Sequence, residues 1–512
     1  MKKFFCIIIV TIFMYPMHAQ NSDTYVENEF IIWLEQGVDA TQFAANSNEG
    51  IVPKRLLSKR LNIWLFEIAT DRVEQRSMKM SNLSKSANIK HIQNNHTNIS
   101  LRAITPNDTY YNQQWAPAII GLPEVWDKFA TGGITADSDE IVVAVIDGGF
   151  DINHEDLSFW KNIYDIPNNG IDDDNNGYID DYHGWNAYNH TGNIVVDSHG
   201  THVAGIVGAI GNNNKGVSGV NWNVKVLPVC GSALTINEAT VVEAYSYVLE
   251  MRALYNETNG QKGAFIVAAN SSFGDDRKDP NNFPVWCSMY DELGSVGILS
   301  CAATANGNWN VDIEGDMPTA CSSPFLISVT STTSANVKDT NAGYGINTID
   351  IGAPGTNIYS TFPSNTYGNN AGTSMAAPQV AGVIALMYAA MPQGMIQTYK
   401  SNPANFALSV KQHLLDGADR ISSLNGLVAT GRLNAYAAVM HAACPPFVNI
   451  IGTGPTPLTI TSDTTIVSCG DINVYNVKVQ SGAKLTLRAA GEVNIGSDFE
   501  VESGSEFEII RL

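Results

Sequence analysis

At 512 residues the chain is too long for one ordinary domain and long enough to bury a large core. Its 44% hydrophobic and 15% charged residues mark a globular protein and exclude a disordered one. A formal net charge of −21, with no basic patch, argues against nucleic acid as a partner and for a protein that tolerates or needs cations.

Residues 1–19 read as an export signal. Lys2 and Lys3 precede the apolar run Phe4–Met14, and "MHAQN" offers cleavage after Ala19. The run is too short to cross a membrane, and no other long apolar segment follows. No transmembrane span is therefore expected, and the mature protein is read as secreted or held at the cell surface. Cys230, Cys287, Cys301, Cys321, Cys444 and Cys469 remain after export. Export permits disulfides, but sequence does not choose the pairing. A Cys444–Cys469 clip is one candidate. Buried free thiols are an equal one, since Cys230 and Cys301 sit in strand-like runs.

Residues 20–105 predict a small α+β unit. "EFIIWL" and "LNIWLFEI" have strand character, and "DRVEQRSMKMSNL" has helical character. A Pro/Asn/Asp-rich boundary follows near 100–106. Directly behind an export signal, this unit is a folding or inhibitory pro-segment, or a permanent first domain.

From 106 to 444 the pattern changes. "EIVVAVID", "VKVLPV", "FIVAANSS", "GILSCAATAN", "FLISVTST" and "TIDIGAPG" are apolar runs separated by helical stretches such as "INEATVVEAYSYVLEMRAL". Runs without polar alternation predict an α/β fold with a doubly wound parallel sheet covered on both faces. Such sheets bind ligands at the carboxyl ends of their strands. Within this region "NNGIDDDNNGYIDD" packs five aspartates into residues 168–181. Asp172, Asp174, Asn176 and Gly177 follow the start of a Ca²⁺ loop, but position 183 is His where a glutamate is expected. Asp180 or Asp181 must then substitute. The competing reading is a solvated acidic turn. Residues 445–512 begin with a Pro/Gly linker. "VQSGAKLTL" and "VESGSEFEI" then share a pattern 22 residues apart, which suggests β-solenoid coils or a small sandwich in an all-β module.

Three polar residues stand where strand runs end or helices begin: Asp147 after "VVAVI", His199 in "DSHGTHVAG", and Ser374 in "GTSMAAPQ". Singly, each is a turn residue or a helix cap. Together they supply what a serine nucleophile requires, an imidazole to take its proton and a carboxylate to hold that imidazole. "VVAVIDGGFDINHEDL", "DSHGTHVAGIVGA" and "GTSMAAPQVAGVIAL" resemble, in that order, the three active-site motifs of the subtilisin-like serine peptidases.

The resemblance covers about 106–444. It implies Asp147 as orienter, His199 as general base and acid, and Ser374 as nucleophile, with His202 a packed helix residue. It implies an oxyanion donor in "CAATANGN", where Asn306 fits better than Asn308. Ser272, Phe273 and Gly274 of "NSSFG" would line a polypeptide cleft, where Phe273 hints at an apolar pocket or is a plain core phenylalanine. Structural Ca²⁺ is expected on Asp172, Asp174, Asn176 and Asp181, with none required for catalysis. A second site is suggested by Asp156, Asn213 and Gln114, against a plain Asn/Gly turn. The implied protein is a secreted endopeptidase made as a precursor, partnered by polypeptide substrate and its own pro-segment. Surface attachment would go through the C-terminal module. The alternatives are a serine esterase or an inactive binding protein of the same fold. Absence of a G-x-S-x-G elbow counts against the first, and presence of all three polar residues counts against the second.

Overall fold

The computed structural model describes residues 25–68, 76–96, 104–231, 237–443, 447–452, 456–468, 470–489 and 491–511. The export signal at 1–19 and the Cys444–Cys469 clip lie outside the described residues, and the boundary near 100–106 lies partly outside them. Two units separate at Arg102/Ala103.

In the first unit, β1 (Tyr25–Leu34), β2 (Ile51–Ser58), β3 (Ile63–Ile68) and β4 (Ile89–His96) form an antiparallel sheet of order β2-β3-β1-β4. Phe30, Ile32 and Leu34 alternate along β1 and are fully buried against Phe66 and Ile68, as the two-residue period of a half-covered strand requires. Helices α1 (Ala40–Ser47) and α2 (Arg76–Leu83) complete the unit. Asp39 caps α1 by accepting the Gln42 N–H at 2.8 Å.

The second unit is built on a parallel sheet of order β13-β12-β10-β8-β5-β7-β6. Its strands are β5 (Ile141–Asp147), β6 (Trp185–Asn186), β7 (Lys225–Cys230), β8 (Phe265–Ser271), β10 (Leu299–Ala303), β12 (Leu326–Thr332) and β13 (Ile351–Pro354). Every residue of β5, β8, β10 and β12 is buried, which explains why these strands read as unbroken apolar runs. Alternate side chains of β5 enter two cores. Val143 and Val145 pack with α3 (Ser198–Gly208) and α6 (Thr373–Ala390). Val142, Ala144 and Ile146 pack with α4 (Glu238–Glu257) and α5 (Pro284–Ser295). Helices α7 (Pro403–Asp416) and α8 (Ala435–Ala443) enlarge the first core. This is the doubly wound α/β fold expected from the apolar runs.

Helix α6 is long and apolar enough to cross a membrane by composition, but 83% of that stretch is buried and it serves as the core helix. Two short ladders lie beyond the strand ends: β9 (Asp275–Asp276) with β11 (Asp316–Met317), and the hairpin β14 (Ile358–Phe362) with β15 (Thr366–Asn370). Cys287 of α5 is disulfide-bonded to Cys321, whereas Cys230 and Cys301 are buried free thiols.

The C-terminal strands are β16 (Phe447–Ile451), β17 (Leu458–Ile460), β18 (Thr464–Ser468), β19 (Asp471–Tyr475), β20 (Val477–Val479), β21 (Lys484–Ala489), β22 (Val493–Ile495), β23 (Phe499–Val501) and β24 (Glu506–Arg511). They form three parallel three-stranded sheets, β16-β19-β22, β17-β20-β23 and β18-β21-β24. Val479 pairs with Val501 and Leu485 with Phe507, so the sequence repeat is one turn of a β-solenoid and not a sandwich. Ile472, Val474, Val477, Val479, Leu485 and Leu487 fill its axis.

Candidate active site

Asp147 ends β5, and the chain then turns away at Gly148. Its carboxylate is buried, with the Gly148 N–H on Oδ1 at 2.7 Å. His199 is the second residue of α3, whose first turn is capped by Asp197 accepting the His199 and Gly200 N–H groups at 2.8 and 3.2 Å. A Cβ on Gly200 would stand 2.2 Å from the Gly149 carbonyl and 3.0 Å from Asp147, so only glycine lets this turn approach the carboxylate. The His199 Nδ1–H then donates to Asp147 Oδ1 at 2.9 Å and Oδ2 at 3.0 Å, which fixes the tautomer and leaves Nε2 as a free acceptor. Burial pulls the His199 pKa down, but the hydrogen bond and charge of Asp147, with help from Asp197, outweigh it and set the imidazole above its ordinary value. Burial pushes the Asp147 carboxyl up, and the His199 ring and the Gly148 N–H pull against it.

Ser374 lies in the first turn of α6. Pro378 stands four residues on and has no N–H to give the Ser374 carbonyl. The Ser272 hydroxyl takes that place, donating to Ser374 O at 2.8 Å, and the Ser374 hydroxyl donates back to Ser272 O at 3.1 Å. The pair anchors the helix start just past the end of β8, the strand beside β5. In this structure the Ser374 hydroxyl is turned to Ser272 and not to His199.

Gly372 precedes the helix at φ 137°, a conformation that favours glycine, and a Cβ there would press on Asn306 Oδ1 at 3.0 Å. Asn306 Oδ1 accepts the Thr373 N–H at 3.0 Å and lies 3.0 Å from the Thr373 hydroxyl, whose shorter bond is to the Thr304 carbonyl at 2.5 Å. With its oxygen spent, Asn306 presents its Nδ2 hydrogens to the cavity it shares with Ser374. The Ser374 N–H, an orphan of the first turn, has no acceptor among the described residues. Asn308 is elsewhere, with its Oδ1 3.3 Å from Lys338 Nζ. His202 is fully buried, with Nε2 donating to the Ile358 and Gly368 carbonyls at 3.0 and 3.3 Å, and burial pushes its pKa down to about 4. It pins the β14–β15 hairpin.

Ser272, Phe273 and Gly274 line that cavity, of about 160 Å³, with Ala303, Thr304 and Ala305. Phe273 is half-buried and stacks on Trp286 with ring centroids 6.2 Å apart, so its ring also belongs to the second core. Asp276 and Asp316 line the same cavity. Neither was legible beforehand: "GDMP" fits no motif, and the ladder that sets the two carboxylates opposite each other is only two residues long.

In the acidic loop, Asp174 and Asp181 are buried side by side. Asn162 Nδ2 donates to Asp174 Oδ2 at 3.0 Å and to Asp181 Oδ1 at 2.6 Å. Asn176 Nδ2 donates to Asp181 Oδ2 at 3.0 Å, and the Tyr247 hydroxyl adds a bond at 3.0 Å. Burial raises both carboxyls, that of Asp181 to about 7. Asp172 lies beside Asp174, adding to the pressure on its carboxyl, and accepts the Asn176 and Gly177 N–H groups at 3.0 and 2.8 Å. Asp180 accepts the Asn169 N–H at 2.8 Å. Among the described residues no three acidic, histidine or cysteine side chains are gathered closely enough to enclose a metal ion. At the second suggested site Asp156 is fully buried and accepts Asn213 Nδ2 at 2.7 Å and the Val217 N–H at 2.9 Å. Gln114 instead brackets Ser218, at 2.9 Å to both its N–H and its carbonyl.

The family model described as "Subtilase family" matches residues 138–436. An "Extracellular protease" of Xanthomonas campestris is 31% identical over 406 residues, which are 73% of this chain and 63% of that protein. "Subtilisin-like protease 1" of Plasmodium falciparum is 32% identical over 359 residues, 63% of this chain and 46% of the relative. Thermitase of Thermoactinomyces vulgaris is 27% identical over 350 residues, covering 66% of this chain and all of thermitase. The chain thus spans less than two thirds of the length of the first two.

Proposed function

The chain belongs to the subtilase family, and on that premise we propose that it is a secreted serine endopeptidase that cleaves polypeptides through an acyl-enzyme on Ser374. The carrying observation is the buried Asp147 carboxylate holding the Nδ1–H of His199 at the strand edge where Ser374 is anchored. In this reading the Ser374 side chain rotates off Ser272 O and offers its hydroxyl proton to His199 Nε2. The imidazole takes that proton as Oγ attacks, then gives it to the leaving amine. The Asn306 Nδ2–H and the Ser374 N–H donate to the oxyanion. A substrate strand adds beside Ser272–Gly274, with backbone bonds giving affinity.

The unit at 20–105 has its own core, which supports its reading as a pro-segment removed from a precursor. Export rests on the signal at 1–19 and on the relatives named extracellular. The solenoid at 445–512 is assigned to surface attachment. Ca²⁺ is assigned to Asp172, Asp174, Asn176 and Asp181. The three carboxylates offer the oxygens a hard cation requires, and the two inner ones are short of positive charge, while Asn176, which turns its Nδ2 to the pair and its Oδ1 to the Tyr178 N–H, would have to turn its amide over to join them. When bound, the ion supplies that charge and holds the loop, while catalysis needs none.

The test is labelling with a fluorophosphonate probe. Processed wild type is expected to label and to digest casein, and Ser374→Ala to do neither. Lack of Ser374-dependent labelling ends the hydrolase reading. Labelling with ester turnover but intact casein makes it an esterase. N-terminal sequencing of the secreted form is expected to start near 100–106 in wild type and upstream of it in Ser374→Ala.

A further inference from the structure

We propose that the cavity beside Ser374 selects a cationic side chain, lysine or arginine, immediately before the scissile bond, with Asp316 as the specificity-determining residue at its wall. The inference rests on the peptidase reading of the same site and names its substrate class.

Asp316 is 1% exposed, yet it lines the cavity shared with Ser374 and Asn306. Its Oδ2 is fully engaged, by the Thr304 hydroxyl at 3.1 Å, the Ala305 N–H at 3.2 Å and the Thr319 hydroxyl. These bonds hold the carboxylate plane. Its Oδ1 is equally shut from water and has no partner. An unpaired buried carboxylate oxygen is costly. Among other buried carboxyls of this unit, Asp147 is matched by His199 and Asp350 by Lys411 at 3.6 Å, while Asp156 and Asp181 have neutral donors on both oxygens. Among the described residues no lysine or arginine reaches Asp316. Arg277, directly after β9, is spent on Glu314 at 2.8 Å and on the Trp309 face at 4.5 Å.

Asp276, directly opposite Asp316 in the β9–β11 ladder, adds a second carboxylate to the lining. The remaining walls include the short residues Gly274, Ala303 and Ala305 beside the Phe273 ring. A long side chain fits between them and ends against the carboxylates. An apolar side chain would cover Asp316 Oδ1 and leave it unsatisfied, whereas an ammonium or guanidinium supplies the missing donors. The disulfide from α5 to Cys321 ties down the segment that follows β11, so the carboxylate does not have to be ordered by substrate. Phe273 also lines the cavity but stacks on Trp286, and on this proposal it is the acidic wall that decides selectivity.

The test is kcat/KM of the processed enzyme on peptide amides that differ only before the scissile bond: lysine, arginine, norleucine, glutamine, phenylalanine. Lysine or arginine is expected to exceed norleucine by at least about tenfold, a charge-assisted bond's worth. Asp316→Asn should lower the lysine-to-norleucine ratio at least about tenfold while cleavage after norleucine rises. Asp276→Asn, on an exposed strand, should lower the ratio by less and serves if Asp316→Asn does not fold. Wild type that prefers norleucine or phenylalanine overturns the proposal, as does an Asp316→Asn variant that slows all substrates alike. Fluorophosphonate labelling separates the two readings. A labelled enzyme without cationic preference loses only this inference, and an unlabelled one loses the peptidase as well.

Discussion

Asp147 in the cleft and Asp181 in the acidic loop are both shut from water, but Asp147 faces an imidazole and Asp181 faces two amides and a phenol. Burial works against the charged form of each. In the cleft that pressure is answered by a group able to hold a proton, so the carboxylate's field is turned into an imidazole of fixed tautomer and raised basicity. In the loop the partners are neutral donors, and Asp174 adds like charge, so the deficit stays. The same residue type therefore faces a group that can hold a proton in one place and neutral donors alone in the other.

The isosteric change Asp→Asn breaks this comparison most sharply. Asp147→Asn should lower kcat/KM about 10⁴-fold, because an amide no longer holds the Nδ1–H tautomer. Asp181→Asn should leave kcat/KM of calcium-loaded enzyme near wild type and should raise the thermal midpoint in chelator by roughly 2 °C or more. Equal kinetic damage from both would erase the distinction. Next in size is Asn306→Ala, expected to cost about 10²–10³ in kcat if, as proposed, its Nδ2–H donates to the oxyanion. Asn308→Ala should cost almost nothing, so the two variants assayed together tell the donor from its exposed neighbour.

The acid limb of kcat/KM sharpens the cleft side. General-base catalysis needs neutral His199, whose pKa lies above 6.5 because Asp147 and Asp197 favour the imidazolium. Activity should therefore fall about tenfold per unit as pH drops below that raised value. In Asp147→Asn the limb should shift to lower pH, because burial is then opposed mainly by Asp197. A limb that stays in place would show that Asp147 does not set the imidazole's basicity.

How far the sequence carried depends on how locally each feature is encoded. The central strands were legible because burial on both faces writes an unbroken apolar run, as in "IVVAVID". β2 and β4 were not. "IVPKRLLS" carries Pro53, two register shifts and charged residues on an outer strand, and "IKHIQNNH" is polar at the opposite edge. Asp147, His199 and Ser374 were legible through their small-residue neighbours, which the close approaches at Gly200 and Gly372 explain. Thr373, which aims Asn306, and Asp316, which lines the cavity, were not. Their roles exist only once β10, β11 and α6 meet, and no local pattern marks them.

The loop side of the comparison is sharpened by calcium and pH together. Asp181 has a folded-state pKa of about 7 against an ordinary value of 3.8, so between these the folded state binds more protons than the unfolded one. The contribution of Asp181 to stability in chelator should therefore be fully present below about pH 4 and fall as pH rises toward 7, whereas His202, lowered to about 4, acts with the opposite sign below 6.5. Asp156 and Asp316, also raised to about 7, act with the same sign, and so does His199 as it loses its proton. The slope in wild type alone does not isolate the loop. A bound cation favours the ionised carboxylate and should add little at pH 5 and most above pH 7. The gap in thermal midpoint between Ca²⁺ and chelator should thus widen from pH 5 to pH 8, and Asp181→Asn should close most of it while leaving the shared slope from Asp316 and His199. A gap independent of pH, or one that survives Asp181→Asn unchanged, would mean that calcium stabilises the protein somewhere other than this loop.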